Sequence, residues 1–566
     1  MRRRAEIRPR RPGVGLATIV ASLGLVGCGS MGSATDARGA DAATRDGGDA
    51  RPTDAAPADA RDASAEAPPV PSLPPPAAGA AFVHLFEWRW TDVARECETY
   101  LGPNGFAAVQ VSPPSEHAVL GGYPWWQRYQ TVGYELDASR SGTGAEFRDM
   151  VRRCAAVGVA IYVDAVINHM TAQPSGVGSN GTRFTKYNYP SLYGPTDFHM
   201  PPCAIADSDY VNAPDRVRRC ELDGLADLDT SADHVREAIA GYLSSLVALG
   251  VRGFRVDAAK HIDPSDLDAI LRLVSARVDA AAAPFYYFEV IDYGGEAIHA
   301  SDYLTTGQGA AQAVDVIEFK YTTLADTFLG AQGQSLASLR TLGDAASTFL
   351  PSARAVVFVN NHDTQRATSL FYQDAPNYDL ATVFMLAWPY GYPSILSSYA
   401  FDRTTQAGID QGPPSDATGH TLPAYAPGAA APTCVTNPTA TTGGWLCEHR
   451  RPFVARLLSF RKAAAGADVT NWWDDGGDEI AFGRGQNGVD VGFVVINLNA
   501  TTLRRTFTTN LPAGAYCDVY QGAPTSTGCS GVTVTVAAGG DADVTIGAGA
   551  AVVLDVDALA AHGPNL

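Results

Sequence analysis

Three carboxylates in this sequence close runs of apolar, β-branched or aromatic residues. Asp257 ends Gly253-Phe254-Arg255-Val256-Asp257, Glu289 follows Phe285 to Phe288, and Asp363 ends Val359-Asn360-Asn361-His362-Asp363. His169, His261 and His362 stand beside them. A carboxylate nucleophile and a carboxylic acid about 5 Å apart are what retaining glycoside hydrolysis needs, and adjacent strand ends supply that spacing. A single strand-end acid is usually a solvated loop residue or a helix cap, and a lone histidine a satisfied structural group. Three acids on nearby strand ends with three histidines are harder to read that way.

The elements that must hold these residues are legible as alternation. Eight strand candidates run Phe82 to Trp88, Phe106 to Ser112, Val159 to Val166, Gly253 to Asp257, Phe285 to Val290, Val314 to Tyr321, Ala355 to Val359 and Ser394 to Tyr399. Segments of helical period lie at 146–157, 234–249, 265–280, 335–347 and 379–388, with 453–465 after the last strand. Within 234–249, Val235, Ile239, Leu243, Leu246 and Leu249 recur at three- and four-residue steps before Gly250. The pattern predicts an α/β chain folded as a (β/α)₈ TIM barrel, whose active site lies at the C-terminal strand ends. An open doubly wound sheet would show a Gly-rich phosphate loop after its first strand, and none is visible there. The barrel is expected in two parts, 81–170 and 229–465. Between them, 171–228 is rich in Gly, Pro, Asn, Tyr and Asp and reads as an irregular subdomain inserted after the third strand. From 466 to 566 short β-rich pieces with Gly and Pro turns predict a C-terminal antiparallel β-sandwich.

The N-terminus reads as an export address. Six arginines within residues 1–11 precede an apolar stretch that ends in Leu25-Val26-Gly27-Cys28, the form of a signal peptide over 1–28. Its end resembles the lipobox of bacterial lipoproteins, which makes Cys28 the lipidated residue. Residues 29–80 are almost entirely Ala, Asp, Gly, Pro, Arg, Ser and Thr, too poor in large apolar groups to fold, and read as a disordered tether. The expected location is exported, held to a membrane by the lipid anchor in the periplasm or at the cell surface, or extracellular. The formal charge of −19 becomes −24 without the leader's six Arg and one Glu, which argues against a nucleic-acid partner and leaves a neutral polymer open. Nine cysteines less Cys28 leave eight, the number for four disulfides in an oxidising compartment.

Four motifs, Asp164-Ala165-Val166-Ile167-Asn168-His169, Gly253 to His261, Glu289-Val290-Ile291-Asp292 and Phe358 to Asp363, resemble in order and spacing the four signature regions of the α-amylase family. Val83-His84-Leu85-Phe86-Glu87-Trp88-Arg89-Trp90, Gln110 to Pro114 and Trp125-Trp126-Gln127-Arg128-Tyr129-Gln130 are similar to its animal-type branch. The resemblance implies endo-hydrolysis of α-1,4 bonds in starch and glycogen. Asp257 is then the nucleophile, Glu289 the acid/base and Asp363 the group that bonds sugar hydroxyls and favours the distorted ring. Arg255, two residues before Asp257 on the same strand face, is expected to keep the nucleophile ionised. Glu289 is expected to have surroundings that raise its pKa. Trp125, Trp126, Tyr129, Gln130, His169, Arg255, Lys260, His261 and His362 become the substrate-binding set.

The resemblance also implies a structural calcium ion, held by Asn168 and Asp227 side chains with the backbone oxygens of Arg218 and His261. It implies disulfides Cys97–Cys154, Cys203–Cys220, Cys434–Cys447 and Cys517–Cys529, which spacing alone cannot select among 105 connectivities. The chain departs from the animal-type pattern in three places. Asp137 and Thr171 stand where a further bridge belongs, and the Gly-rich loop is missing after Gln365-Arg366. Of the three residues that hold a chloride ion in that branch, Arg255 and Asn361 match, but the third, basic one is Ser394, so chloride is expected not to be required. The protein is expected to act as a monomer. Two other readings remain beside hydrolysis: a non-catalytic starch-binding lipoprotein, disfavoured because all three acids are present, and a transglycosylase that shares the covalent intermediate.

Overall fold

The computed structural model describes residue 73 and residues 76–307, 313–344, 348–367, 369–437 and 439–560. The leader, Cys28 and the tether up to residue 72 lie outside the described residues. Eight parallel strands close a barrel: β1 (Phe82–Leu85), β2 (Ala108–Val111), β3 (Ala160–Ala165), β4 (Gly253–Val256), β5 (Phe285–Phe288), β6 (Val314–Ile317), β7 (Ala355–Val357) and β8 (Tyr392–Ser397). These are the eight expected runs, mostly shortened at their C-terminal ends. There the chain leaves the sheet to form the loops that carry Asp257, Glu289 and Asp363.

Strand alternation sends every second side chain into the barrel. Phe82, Tyr162, Tyr287, Val356 and Phe358 fill one end of the interior, with Phe82 edge-on to Tyr162 at 5.5 Å. A Cβ at Gly253 would lie 2.4 Å from the Tyr162 ring, so only glycine admits that ring. Each such burial contributes about 1.5–3 kcal/mol and excludes charge from this end. Two residues further along the strands the interior turns polar: His84 is in register with Gln110, and Arg255 with Asp164 and Tyr287.

The helices that wrap the barrel include α1 (Trp90–Glu96), α2 (Gly144–Ala156), α3 (Asp233–Ala248), α4 (Pro264–Ser275), α5 (Thr323–Phe328), α6 (Asn377–Ala387) and α7 (Pro452–Ala463). α2 starts with a reciprocal Thr143/Glu146 capping box, and α4 is capped by Asp263. Of the helix expected over 335–347, the described residues 335–344 form no α-helix. That crossover uses α5 and a 3₁₀ turn, Leu336–Thr341. Gly333 and Gly343, at φ +73° and +83°, break the backbone on either side, leaving a stretch too short to propagate an α-helix. The C-terminal domain then captures it, Asp478 and the Gly477 carbonyl accepting from the N–H groups of Leu336 and Ala337.

The C-terminal domain stacks two four-stranded antiparallel sheets. Asp468–Asp474, Glu479–Gln486, Val489–Asn497 and Ala550–Asp555 form one, and Leu503–Thr508, Asp541–Ile546, Thr533–Val536 and Gly514–Cys517 the other. Phe493, Val495, Phe507, Tyr516 and Val544 pack between them. All four implied disulfides are formed. Among the described residues no helix is long and apolar enough to cross a membrane.

A long segment after β8 runs back over the barrel and is fastened to α1 by one buried carboxylate. Glu96 accepts from His449 Nε2 at 2.8 Å, from Arg450 Nε at 2.6 Å and Nη2 at 2.8 Å, and from the Tyr425 hydroxyl. Burial alone would raise this carboxyl, but bonds from His449 and the bonds and charge of Arg450 outweigh it and hold it at about 2. Burial also lowers His449, so Arg450 carries the balancing charge. Because the folded pKa lies below the unfolded value, the stabilisation is complete above about pH 4.5 and is lost as pH falls toward 2. Glu96→Gln is expected to cost about 3 kcal/mol at pH 7, the lower end for breaking a buried pair, since Arg450 keeps some access to water. Thermal unfolding of both proteins from pH 7 to pH 2 checks this: the gap should be constant to about pH 4.5 and then close.

Candidate active site

Register builds the centre of the site. Val256 pairs with Phe288 across β4 and β5, so Asp257 and Glu289, the next residues, stand side by side on strands about 4.8 Å apart. Arg255 faces Asp164 across β3 and β4. Its guanidinium donates through Nη1 to Asp164 Oδ1 at 2.6 Å and to Asp257 Oδ1 at 2.8 Å, and through Nη2 to Glu289 Oε1. One guanidinium touches two carboxylates only when they are close, which favours the roughly 5 Å spacing of retaining enzymes over the roughly 6.5–9.5 Å of inverting ones.

Arg255 is shared among three acids, because Asp164 sits opposite it on β3. The expected effect of Arg255 on Asp257 is present but opposed: burial pushes that carboxyl well up, Arg255 pulls it down, and Glu289 and Asp164 push it up again. Asp164 is raised for the same first reason, against Arg255. Asp363 is pushed up to about 7 by burial and then by Glu289, with Arg255 and Arg366 opposing. Burial thus raises Asp164, Asp257 and Asp363 alike, and the arginine they surround opposes it.

The loop residues are held by short-range bonds. Ala258 adopts φ +50°, a left-handed conformation that is strained for a residue with a Cβ, and its N–H donates to Glu289 Oε2 at 3.0 Å. After β7, Asn361 Oδ1 accepts from the N–H groups of Asp363 at 3.0 Å and Thr364 at 2.8 Å, an Asx turn that presents Asp363 to the opening.

An aromatic wall stands beside the acids. Tyr129 donates to Asp164 Oδ2 at 2.9 Å, bonds His362 Nε2 at 2.8 Å and stacks on the His362 ring at 5.3 Å. Trp125 is edge-on to both and lies under the Arg366 guanidinium at 4.6 Å. Trp125 Nε1 donates to the Ile409 carbonyl and Trp126 Nε1 to Asp410 Oδ1, so the segment after β8 fixes both tryptophans while Trp126 stays partly exposed.

Other candidates have their polar atoms engaged by the protein. Gln130 Oε1 accepts from Thr171 and the Ala172 N–H. Lys260 Nζ donates to the Ile291 carbonyl at 2.6 Å and to Glu296, and its ammonium is lowered to about 8 by burial. His169 Nε2 bonds the Tyr129 carbonyl at 3.2 Å, and burial lowers the ring to about 4. His261 Nδ1 bonds the Val217 carbonyl at 2.9 Å, next to Arg218. Asn168 Nδ2 lies 3.5 Å from Asp227 Oδ1, while His199 Nδ1 is 2.7 Å from Asp227 Oδ2. Asp164 was not singled out from sequence. Its signal was an acid within an apolar run at the interior parity, readable once the β3–β4 register is known.

The site is thus a set of carboxylates at the C-terminal mouth of a TIM barrel, the apparatus of a barrel glycoside hydrolase. Residues 100–397 match the family model for the α-amylase catalytic domain, and 470–557 that for the α-amylase C-terminal all-β domain. The chain is 43% identical over 479 residues to an α-amylase of Tenebrio molitor, covering 82% of this chain and 94% of that one. It is 41% identical over 492 residues to human α-amylase 1B, covering 82% and 92%. The fold superposes at TM-score 0.74 and 39% identity on a mutant α-amylase I of Eisenia fetida solved with maltohexaose, covering 85% and 98%. A γ-CGTase of an alkalophilic Bacillus clarkii, at TM-score 0.55 and 17% identity over 85% and 71%, shares the fold alone. The chain belongs to the α-amylase family of glycoside hydrolases.

Proposed function

We propose that this enzyme cleaves internal α-1,4 bonds of starch and glycogen with retention, through a glycosyl-enzyme on Asp257. The observation that carries the reading is the side-by-side placement of Asp257 and Glu289 on one guanidinium. Asp257 attacks the anomeric carbon as Glu289 hands a proton to the leaving oxygen. Glu289 then takes a proton from water, which attacks the anomeric carbon from the face the leaving group vacated and displaces Asp257, giving net retention. Asp363 bonds the ring hydroxyls and favours the flattened, oxocarbenium-like sugar. His362 and His169 line the sugar's edge, Tyr129 stacks on it, and Trp125 and Trp126 give apolar faces to its neighbours. Gln130, Lys260 and His261 shape the walls.

Asp257→Asn is expected to keep the fold and starch binding and to lose several orders of magnitude in turnover, since no covalent intermediate forms. Glu289→Gln should lose starch hydrolysis equally but retain turnover of substrates with acidic leaving groups, which need less protonation. Product anomer and chain length from starch, and rates on an activated glycoside, check both. Loss of the activated substrate in step with starch would remove Glu289 from the acid role.

Calcium fits the residues beneath the cleft. Asn168 Oδ1 is a buried oxygen with no hydrogen-bond partner, and the Asp227 carboxylate beside it is buried with only His199 and Asn168 as side-chain partners. Among the described residues no group of three or more His, Cys, Asp or Glu could hold a metal. The donors are instead one carboxylate, one amide and the Arg218 and His261 carbonyls, oxygens suited to a hard ion. Bound there, calcium supplies positive charge that ties the inserted segment to the barrel. Chelation is expected to lower the thermal midpoint as well as activity, by mass action on the native state, and calcium should restore both. An unchanged midpoint in metal-free protein would remove the assignment.

Chloride is proposed not to be required. Arg255, Asn361 and Ser394 line one cavity. A serine brings no charge, while Arg255 already serves three carboxylates. A missing cation at about 4 Å is worth roughly 4 kcal/mol at an effective dielectric of 20. Turnover at fixed ionic strength should be the same in chloride, nitrate and sulfate, and a several-fold rise in chloride would contradict this. The same reading makes the enzyme an exported, monomeric lipoprotein held to a membrane through Cys28. The signal-peptide and lipobox-like residues support the anchor, and the four disulfides support export.

A further inference from the structure

Beneath the carboxylates the barrel interior leaves a small cavity bordered by His84, Gln110, Arg255, Asn361, His362 and Ser394, with about 20 Å³ open to the centre of a water molecule. Roughly 10–15 Å³ is enough for one water if polar groups converge on it. Two do. His84 Nε2 and His362 Nδ1 are buried atoms with no hydrogen-bond partner. Their rings are 5.4 Å apart and nearly perpendicular, at 84°, and only 3% and 2% exposed. Each unpaired buried nitrogen costs about 1–3 kcal/mol.

Hydrogen-bond direction fixes which proton His362 carries. The Tyr129 hydroxyl has one proton and gives it to Asp164, which is ion-paired to Arg255. Tyr129 must then accept from His362, so the His362 proton is on Nε2. Burial, and then the Arg255 charge, keep both His84 and His362 neutral. His362 Nδ1 therefore turns a lone pair toward the cavity and needs a donor.

We propose that one water in this cavity donates to His362 Nδ1 and pairs with His84 Nε2, which makes His84 a positioning residue for His362. The bridge holds the His362 ring in one orientation and in its Nε2–H form at the wall of the sugar site. His84 touches neither substrate nor the reacting atoms, and acts through His362 alone. The catalytic consequence rests on the proposed cleavage at this cleft. The tautomer of the resting protein does not.

His84→Phe keeps the ring volume and removes the nitrogen, while His84→Gln returns an amide at a similar reach. In ¹⁵N-histidine spectra of the resting protein, His362, identified by its loss in His362→Gln, should show a protonated Nε2 and an unprotonated Nδ1. His84→Phe should broaden or shift that signature and lower kcat on starch by about tenfold to a hundredfold, the scale of a small misplacement, with a smaller change in KM. His84→Gln should recover most of both. A wild-type His362 protonated on Nδ1 overturns the proposal even if His84→Phe does not fold. So does an unchanged signature with unchanged kcat in His84→Phe, or equal loss in both variants with the signature intact, which would mark packing alone. Absence of starch cleavage by the wild type would instead overturn the proposed function and leave the spectra to decide the His84 bridge.

Discussion

The structure around the barrel mouth depends on one buried cation. Asp164, Asp257, Glu289 and Asp363 crowd into a region where Arg255 is the central positive group, 2% exposed and bonded to three of them. Two like charges at 4 Å repel by about 4 kcal/mol at an effective dielectric of 20, so four ionised carboxylates could not share this volume. Arginine serves where lysine would not, because its planar fork meets acids on three strands with fixed donors and stays charged when buried. Burial raises Asp164, Asp257 and Asp363 in common, and the guanidinium at their centre is what opposes it.

Around that centre the site is assembled from loops, and the loops are held by polar anchors away from the chemistry. Trp125 and Trp126 keep their orientation through Ile409 and Asp410. Those residues belong to the segment after β8, which Glu96 and its partners tie to α1. Arg366 lies over Trp125 and donates to the Tyr399 hydroxyl and the His362 carbonyl. The aromatic wall is therefore held by bonds from its own indole N–H groups and by the Arg366 guanidinium over Trp125, the fixed orientation a preorganised site needs.

Much of this was legible in the residues. Strands buried on both faces read as apolar or aromatic runs, and acids at their ends stand out because such runs carry few charges. What stayed hidden depends on register. Asp164 lies inside a run, and its importance follows from facing Arg255 across two strands. His84 likewise becomes notable only when it and His362 meet in the barrel. The 335–347 segment has helical periodicity, but a left-handed glycine precedes it, another interrupts it at Gly343, and the C-terminal domain claims its start, so backbone and tertiary bonds override propensity. Lys260 and Gln130 have the chemistry to bind sugar, yet Glu296, Thr171 and the Ala172 N–H engage their polar atoms, which no local pattern discloses. The disulfide pairs could be had only from the family resemblance, since eight cysteines alone leave the choice open.

The barrel interior is graded, and the grading supports the proposal that its middle takes a water rather than an ion. At one end Phe82 and Tyr162 exclude charge, and at the other the acids require a cation. The layer between, with His84, Gln110 and Ser394 around the buried face of Arg255, must be polar enough to solvate that guanidinium without competing for its charge. An anion there would add to an existing excess of negative charge, and a second cation would draw the carboxylates away from Arg255. Neutral imidazoles, an amide and a hydroxyl do neither. A serine on β8 and a histidine on β1 thus answer one constraint: the group beneath Arg255 has to hydrogen-bond while carrying no charge.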